Sequence, residues 1–158
     1  MGGNNIKKLI LVIILSFVVL VYPSQTNASK MPCSSILEPA DKHLKNAKGT
    51  ALIYKVQLNP PSFARTNISI MAVHLPHLPH PSTYGEYDQY EGFATIPGYI
   101  SWRFKLYSTP EEDGVTWAGK FDWITEEMKN VKIQVRPSNS KTEKLRSPVL
   151  QSALSSCN

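Results

Sequence analysis

The stretch Tyr99–Tyr107 (YISWRFKLY) alternates apolar and polar side chains residue by residue. A segment patterned this way buries one side of itself as a β-strand, because successive strand side chains point to opposite faces. Ile100, Trp102, Phe104 and Leu106 form the predicted inner face, and Ser101, Arg103, Lys105 and Tyr107 the outer one. The same period recurs in Thr50–Leu58, read with Leu52, Tyr54, Val56 and Leu58 on one side, and in Val131–Arg136, with Val131, Ile133 and Val135 inward. Asn67–His74 and Val115–Ile124 read as further strands. The second is the expected hairpin partner of 99–107 across the turn Pro110–Gly114, with Gly119 marking a bulge. Phe93–Ile96 and Pro148–Leu154 supply short ones, and Pro-rich or Ser-rich breaks at 59–62 and 137–140 punctuate the series. Asp41–Lys48 predicts a helical turn capped by Asp41, and Thr125–Asn130 another. Six or seven short strands without intervening long helices predict a mainly β chain. The expected architecture is a single antiparallel β-sandwich of Ig-like type, with a small closed β-barrel as the second solution.

The N-terminus follows different rules. Polar residues ending in Lys7 and Lys8 precede an uncharged apolar run, Leu9–Tyr22, then Pro23 and the small-residue sequence Thr26-Asn27-Ala28. This is the order of a secretory signal peptide, with cleavage expected after Ala28. As a helix the apolar run covers roughly 21 Å, short of the ~30 Å hydrocarbon core a membrane anchor must span. The expected division is therefore 1–28 as signal peptide and 29–158 as a single secreted β domain without a transmembrane segment, extracellular or held at the cell surface. Loss of Lys7 and Lys8 leaves 15 Lys and Arg against 12 Asp and Glu. That balance is mildly basic. It fits attraction to anionic walls or membranes and gives no ground for a nucleic-acid partner, which calls for a concentrated basic face.

Outside the cell, two cysteines are expected to pair. Cys33 lies just after the expected cleavage site and Cys157 is the penultimate residue, so their disulfide closes nearly the whole mature chain. Neither has the neighbouring cysteine of a redox motif.

Two segments stand out as candidate sites. In His74-Leu-Pro-His77-Leu-Pro-His80 three histidines recur every third residue, which places them on one face of a polyproline II helix ~9 Å apart. Imidazoles ligate zinc or copper, so His74, His77 and His80 are the candidate metal ligands. The competing reading is a stiff connection whose histidines are simply solvated. In Tyr84-Gly-Glu-Tyr87-Asp-Gln-Tyr90 three tyrosines repeat with acids between them. Such rings are enriched in recognition surfaces and, with carboxylates, hold sugars or cations. Tyr84, Tyr87 and Tyr90 are the candidate contact residues; the plainer reading is ring packing at the end of the fold. Asn67-Ile-Ser69 is a formal glycosylation sequon, and Asp122, flanked by Phe121 and Trp123, is a weak candidate for a perturbed acid that alternation places outward. No catalytic set, phosphate loop or metalloprotease motif is present, and no cofactor is implied.

The segments MPCSSILEP, ALIYKVQLNPPS with RTNISI, YEGFATIPG with ISWRFKLY, and MKNVKIQVRPSNS resemble a group of short, uncharacterised secreted proteins of bacilli and their temperate prophages. The resemblance covers most of the mature chain. It implies secretion and a phage- or competition-related setting, and transfers no activity or catalytic residue. The leading expectation is a non-enzymatic extracellular binding module for an unidentified protein or glycan. A histidine-based metal-binding protein and a small hydrolase acting on wall or sugar polymers are the alternatives. Oligomeric state leaves no mark in the sequence.

Overall fold

A computed structural model describes residues 31–56, 65–78, 86–111 and 114–152. Among them lie eight strands: β1 (Cys33–Pro39), β2 (Lys48–Val56), β3 (Arg65–Val73), β4 (Gln89–Ile96), β5 (Ile100–Glu111), β6 (Gly114–Ile124), β7 (Lys132–Ser138) and β8 (Leu150–Gln151). All pair antiparallel, in the order β1-β2-β3-β6-β5-β4-β7-β8, and β8 returns to β1. The mainly antiparallel β fold is as the alternation predicts, and of the two architectures it is the closed barrel that forms.

Two strands explain why the sheets close instead of stacking as a sandwich. β5 pairs with β4 through Ile100–Leu106 and then with β6 through Tyr107–Glu111. β1 pairs with β2 through Cys33–Leu37 and with β8 through Glu38 and Pro39. Each passes from one wall to the other and so joins the two walls into one closed barrel. Gly119 sits where β5 leaves β6. A Cβ there would meet the Lys105 carbonyl oxygen at 2.4 Å and Leu106 Cδ2 at 2.8 Å. The glycine therefore serves a close backbone crossing; it is not the expected bulge.

The barrel interior is filled by side chains, as eight strands permit. Leu37, Ile53, Ile68, Tyr90, Leu106, Ile124, Ile133 and Val135 are wholly buried. Each buried aliphatic chain contributes about 1.5–3 kcal/mol relative to exposure. Trp102, Phe104, Leu106, Val131, Ile133 and Val135 point inward as predicted, whereas Ile100 is exposed. In β2 the predicted phase is inverted. Ala51 and Ile53 are buried and Leu52 is exposed, because all three are apolar and the run Ala-Leu-Ile conceals which parity faces in. Asp41 caps a 3-10 turn at Lys42–Leu44, accepting from the His43 amide at 2.9 Å. Residues 125–130 are irregular, with a bend at Glu126 and a turn at Lys129–Asn130 in place of the expected helical turn; there Met128 turns into the core. Among the described residues no helix is long and apolar enough to cross a membrane.

Candidate functional site at the β3–β6 bulge

With the interior occupied, a ligand must be met on the outer wall. The outstanding irregularity there is a register shift between β3 and β6. Thr66 lies opposite Ile124, but Ile68 lies opposite Phe121. Asn67 alone therefore faces Asp122 and Trp123 together, the two-against-one count of a β-bulge. A regular strand would send consecutive residues to opposite faces. At this bulge both Asp122 and Trp123 line one cleft of about 350 Å3, together with Val56, Arg65, Asn67 and Lys120.

The lining is chemically specific. Trp123 is 65% exposed, and the Arg65 guanidinium carbon stands 3.6 Å from its ring centroid, a cation–π stack that leaves the opposite ring face as a platform. Lys120 Nζ lies 2.9 Å from Asp122 Oδ2. The hydrogen bond from Lys120 to Asp122, then their charge attraction, hold the ammonium above the ordinary lysine range. Asn67 is only 8% exposed. Its Oδ1, and Asp122 Oδ1, are buried without a hydrogen-bond partner. Buried acceptors in that state cost about 1–3 kcal/mol each, and Ser138 Oγ on β7 is in the same state.

The residues singled out in the sequence are distributed otherwise. Tyr90 is wholly buried; its ring meets Trp117 edge-on at 5.0 Å, and its hydroxyl donates to the Pro76 carbonyl at 2.7 Å. It is a core residue and is unavailable as a contact residue. Tyr87 is half-buried, and Tyr84 lies outside the described residues. His74 and His77 are exposed, while Leu75 and Leu78 pack against the core. The described part of the Leu-Pro-His repeat thus lays Leu75 and Leu78 on the barrel and turns His74 and His77 to solvent. His80 lies outside the described residues, and among those described no three His, Cys, Asp or Glu side chains gather to hold a metal. Asn67 of the sequon is buried in mid-strand, where an oligosaccharide has no room. Of the residues singled out, Asp122 is the one placed in the cleft for its own chemistry. Arg65, Lys120 and Trp123 carry no signal in the sequence, because the bulge that gathers them is invisible in a period-two pattern.

Two other surfaces are already satisfied internally. On the outside of β4, Glu91 accepts from Arg103 at 2.8 Å, and Arg103 and Arg136 lie 5.8 and 5.5 Å from the Phe93 ring. That layer covers itself, leaving Glu91 and Phe93 buried. A broader depression between Asp41–Leu44 and Arg146–Val149 has no aromatic platform, and its Asp41 carboxylate is used in capping.

Comparison with known proteins places this geometry. Residues 29–158 match the family model described as "SPbeta prophage-derived uncharacterized protein YoqH". A protein of that description from Bacillus subtilis (strain 168) is 65% identical over 151 residues, which is 96% of this chain and 99% of that protein. No solved structure matches. A match over the whole described barrel, the bulge strands included, shows that this chain belongs to the YoqH family of prophage-derived proteins.

Proposed function

We propose that this chain is an exported, non-enzymatic binding module whose contact site is the cleft at the β3–β6 bulge. The observation that carries the reading is the exposed ring of Trp123, stacked on Arg65 beside the Lys120–Asp122 ion pair in one cleft. An aromatic anchor with a few convergent polar groups is the usual composition of a small recognition site. Hydrolysis of a glycosidic bond calls for two carboxyl groups across the cleft; the described lining holds one, Asp122. The charged leader argues for export, and the family match opens at residue 29, where that leader is expected to end.

Export also supports the bridge between Cys33 and Cys157. The β1–β8 register pairs Glu38 with Gln151. The first described strand, which Cys33 opens, and the last therefore lie side by side.

The test uses protein expressed with its leader and recovered from the medium, incubated with washed bacilli and isolated walls at raised salt. The wild type is expected to stay bound and Trp123→Ala to wash off. Equal retention of both, or retention of neither, refutes the cleft as the contact site.

A further inference from the structure

We infer that the outer face of the wall β1-β2-β3-β6-β5 pairs two copies of this chain into a weak dimer; the inference goes beyond the cleft and does not rest on it. The register lines up one outward residue from each of the five strands. Ile36 lies opposite Thr50, Thr50 opposite Met71, Met71 opposite Ala118, and Ala118 opposite Tyr107. Ile36, Met71 and Tyr107 are 68, 49 and 65% exposed, and Leu52, beside Thr50 on the same face of β2, is 43% exposed. Apolar side chains scattered singly over a surface need no explanation, whereas a contiguous band of them marks a contact face. The other wall covers its Phe93 with Arg103 and Arg136; this band stays open to solvent.

Shape, charge and size each favour a second copy as the occupant. The small residues Ala118 and Gly119 leave a dent of about 400 Å3 in the middle of the wall, and Met71 stands on its rim. β3 is the central strand of the five. A two-fold axis in the contact plane, passing through the middle of the row, therefore sets Met71 of each copy at the dent of the other. Knob and hole in one patch are what an isologous interface needs, and methionine is the side chain best suited to fill an irregular gap. Lys48 is paired with Glu38 on one side of the row and Lys120 with Asp122, at 2.9 Å, on the other. Lys105 stands 5.5 Å from the Tyr107 ring at its end. Three lysines against two acids leave too little field to hold a polyanion or to keep like copies apart. Strands ~4.8 Å apart, with outward side chains every ~6.8 Å along them, give five strands by three rows a face of roughly 500 Å2. Two copies then bury about 1,000 Å2, above most packing contacts and at the threshold of a specific but transient interface.

The test is sedimentation velocity of the exported protein from about 1 µM to 1 mM, with the Met71 methyl resonance followed over the same range. A monomer–dimer equilibrium is expected with a dissociation constant of roughly 10–500 µM, and the methyl signal should move with it. Met71→Lys sets two cations against each other at the axis and should weaken pairing about tenfold or more, while Met71→Leu should preserve it. Ile36→Lys, at a position 68% exposed, is the second disrupting variant should the first fail to fold. Tyr99→Lys, equally exposed but on the turn between β4 and β5, should leave pairing unchanged, and circular dichroism should show all variants folded alike. The inference is overturned if the wild type stays monomeric throughout. It is equally overturned if the dimer persists in both Met71→Lys and Ile36→Lys, or is lost in Tyr99→Lys. Cosedimentation with phosphatidylglycerol vesicles by a protein that does not pair would identify a lipid surface as the occupant and also overturn it. Retention on cells that survives Met71→Lys leaves the cleft reading standing whichever way the pairing falls.

Discussion

Gly92 offers a quantitative test of how this barrel is filled. It lies on β4 directly opposite Phe104 of β5. A Cβ at residue 92 would stand 2.7 and 2.8 Å from two Phe104 ring carbons and 2.9 Å from Ile70 Cδ1. Carbon atoms rest at roughly 3.5–4.0 Å, so Gly92→Ala must push the ring and the isoleucine away by most of an ångström inside a close-packed interior. Overpacking of this kind costs about 1–3 kcal/mol. The loss of backbone freedom in the unfolded chain offsets about 0.4–1 kcal/mol, so the expected net loss is about 1–2 kcal/mol. Thermal and urea unfolding followed by circular dichroism should show it as a fall in Tm of several degrees, at roughly 4 °C per kcal/mol for a chain of this size. The sharper measurement is the double-mutant cycle. Phe104→Leu removes the ring atoms that the added methyl group would strike, so the double variant should be more stable than the sum of the single losses, by about 0.5 kcal/mol or more. Additive losses, or a stabilised Gly92→Ala, would refute the reasoning, since either means that Phe104 does not lie over the glycine.

Two further outcomes follow from the turn at 139–144 and from the chain ends. The Asp88 carboxylate accepts from the Ser140 amide at 2.8 Å and its hydroxyl at 2.5 Å, and these bonds, the hydroxyl's first, hold its pKa below the usual aspartate value. A depressed carboxylate pKa stabilises the fold above the unfolded pKa and ceases to do so as pH falls through the folded one. The Ser140 amide resonance should therefore titrate with a midpoint below ~3.9, and a midpoint at or above it would remove the link. For the proposed bridge, the exported protein should lack two hydrogens by intact mass. Cys157→Ser should lower stability by up to ~4.7 kcal/mol on the loop-entropy model, and unchanged stability with two free thiols would dispose of it.

The fold is legible where alternation is unambiguous and obscured where it is not. Trp102, Phe104, Leu106, Ile133 and Val135 have polar neighbours on both sides, so their burial can be read directly from period two. Ala51, Leu52 and Ile53 have no such contrast, and the inner parity of β2 is lost with it. β1 escapes the pattern because its inner face carries Cys33, Ser35 and Leu37 while Ile36 is 68% exposed, the reverse of a clean amphipathic strand. Closure cannot be decided from pattern at all. It depends on β5 and β1 changing partners midway, and a strand that serves two walls has the same inward residues as one that serves a single wall.

The histidine and tyrosine repeats are conspicuous because composition makes repeats so, yet the barrel uses them largely as packing. Leu75 and Leu78 seat the first repeat, and the Tyr90 hydroxyl holds its Pro76. The bulge shows the opposite case. Phe121-Asp122-Trp123-Ile124 reads as ordinary strand, and strict alternation would put Asp122 and Trp123 on opposite faces. One additional residue in β6 against β3 brings them to the same cleft, and Asn67 loses one-to-one pairing with β6 in the same step. A side-chain acceptor buried by that slip costs stability whether or not a ligand exists. The chain could remove the cost with an apolar residue at 67, flanked as it is by Thr66 and Ile68. That it carries Asn67 there, beside Asp122 and under an exposed tryptophan, is the reason to place function on this wall and not on the more eye-catching loops.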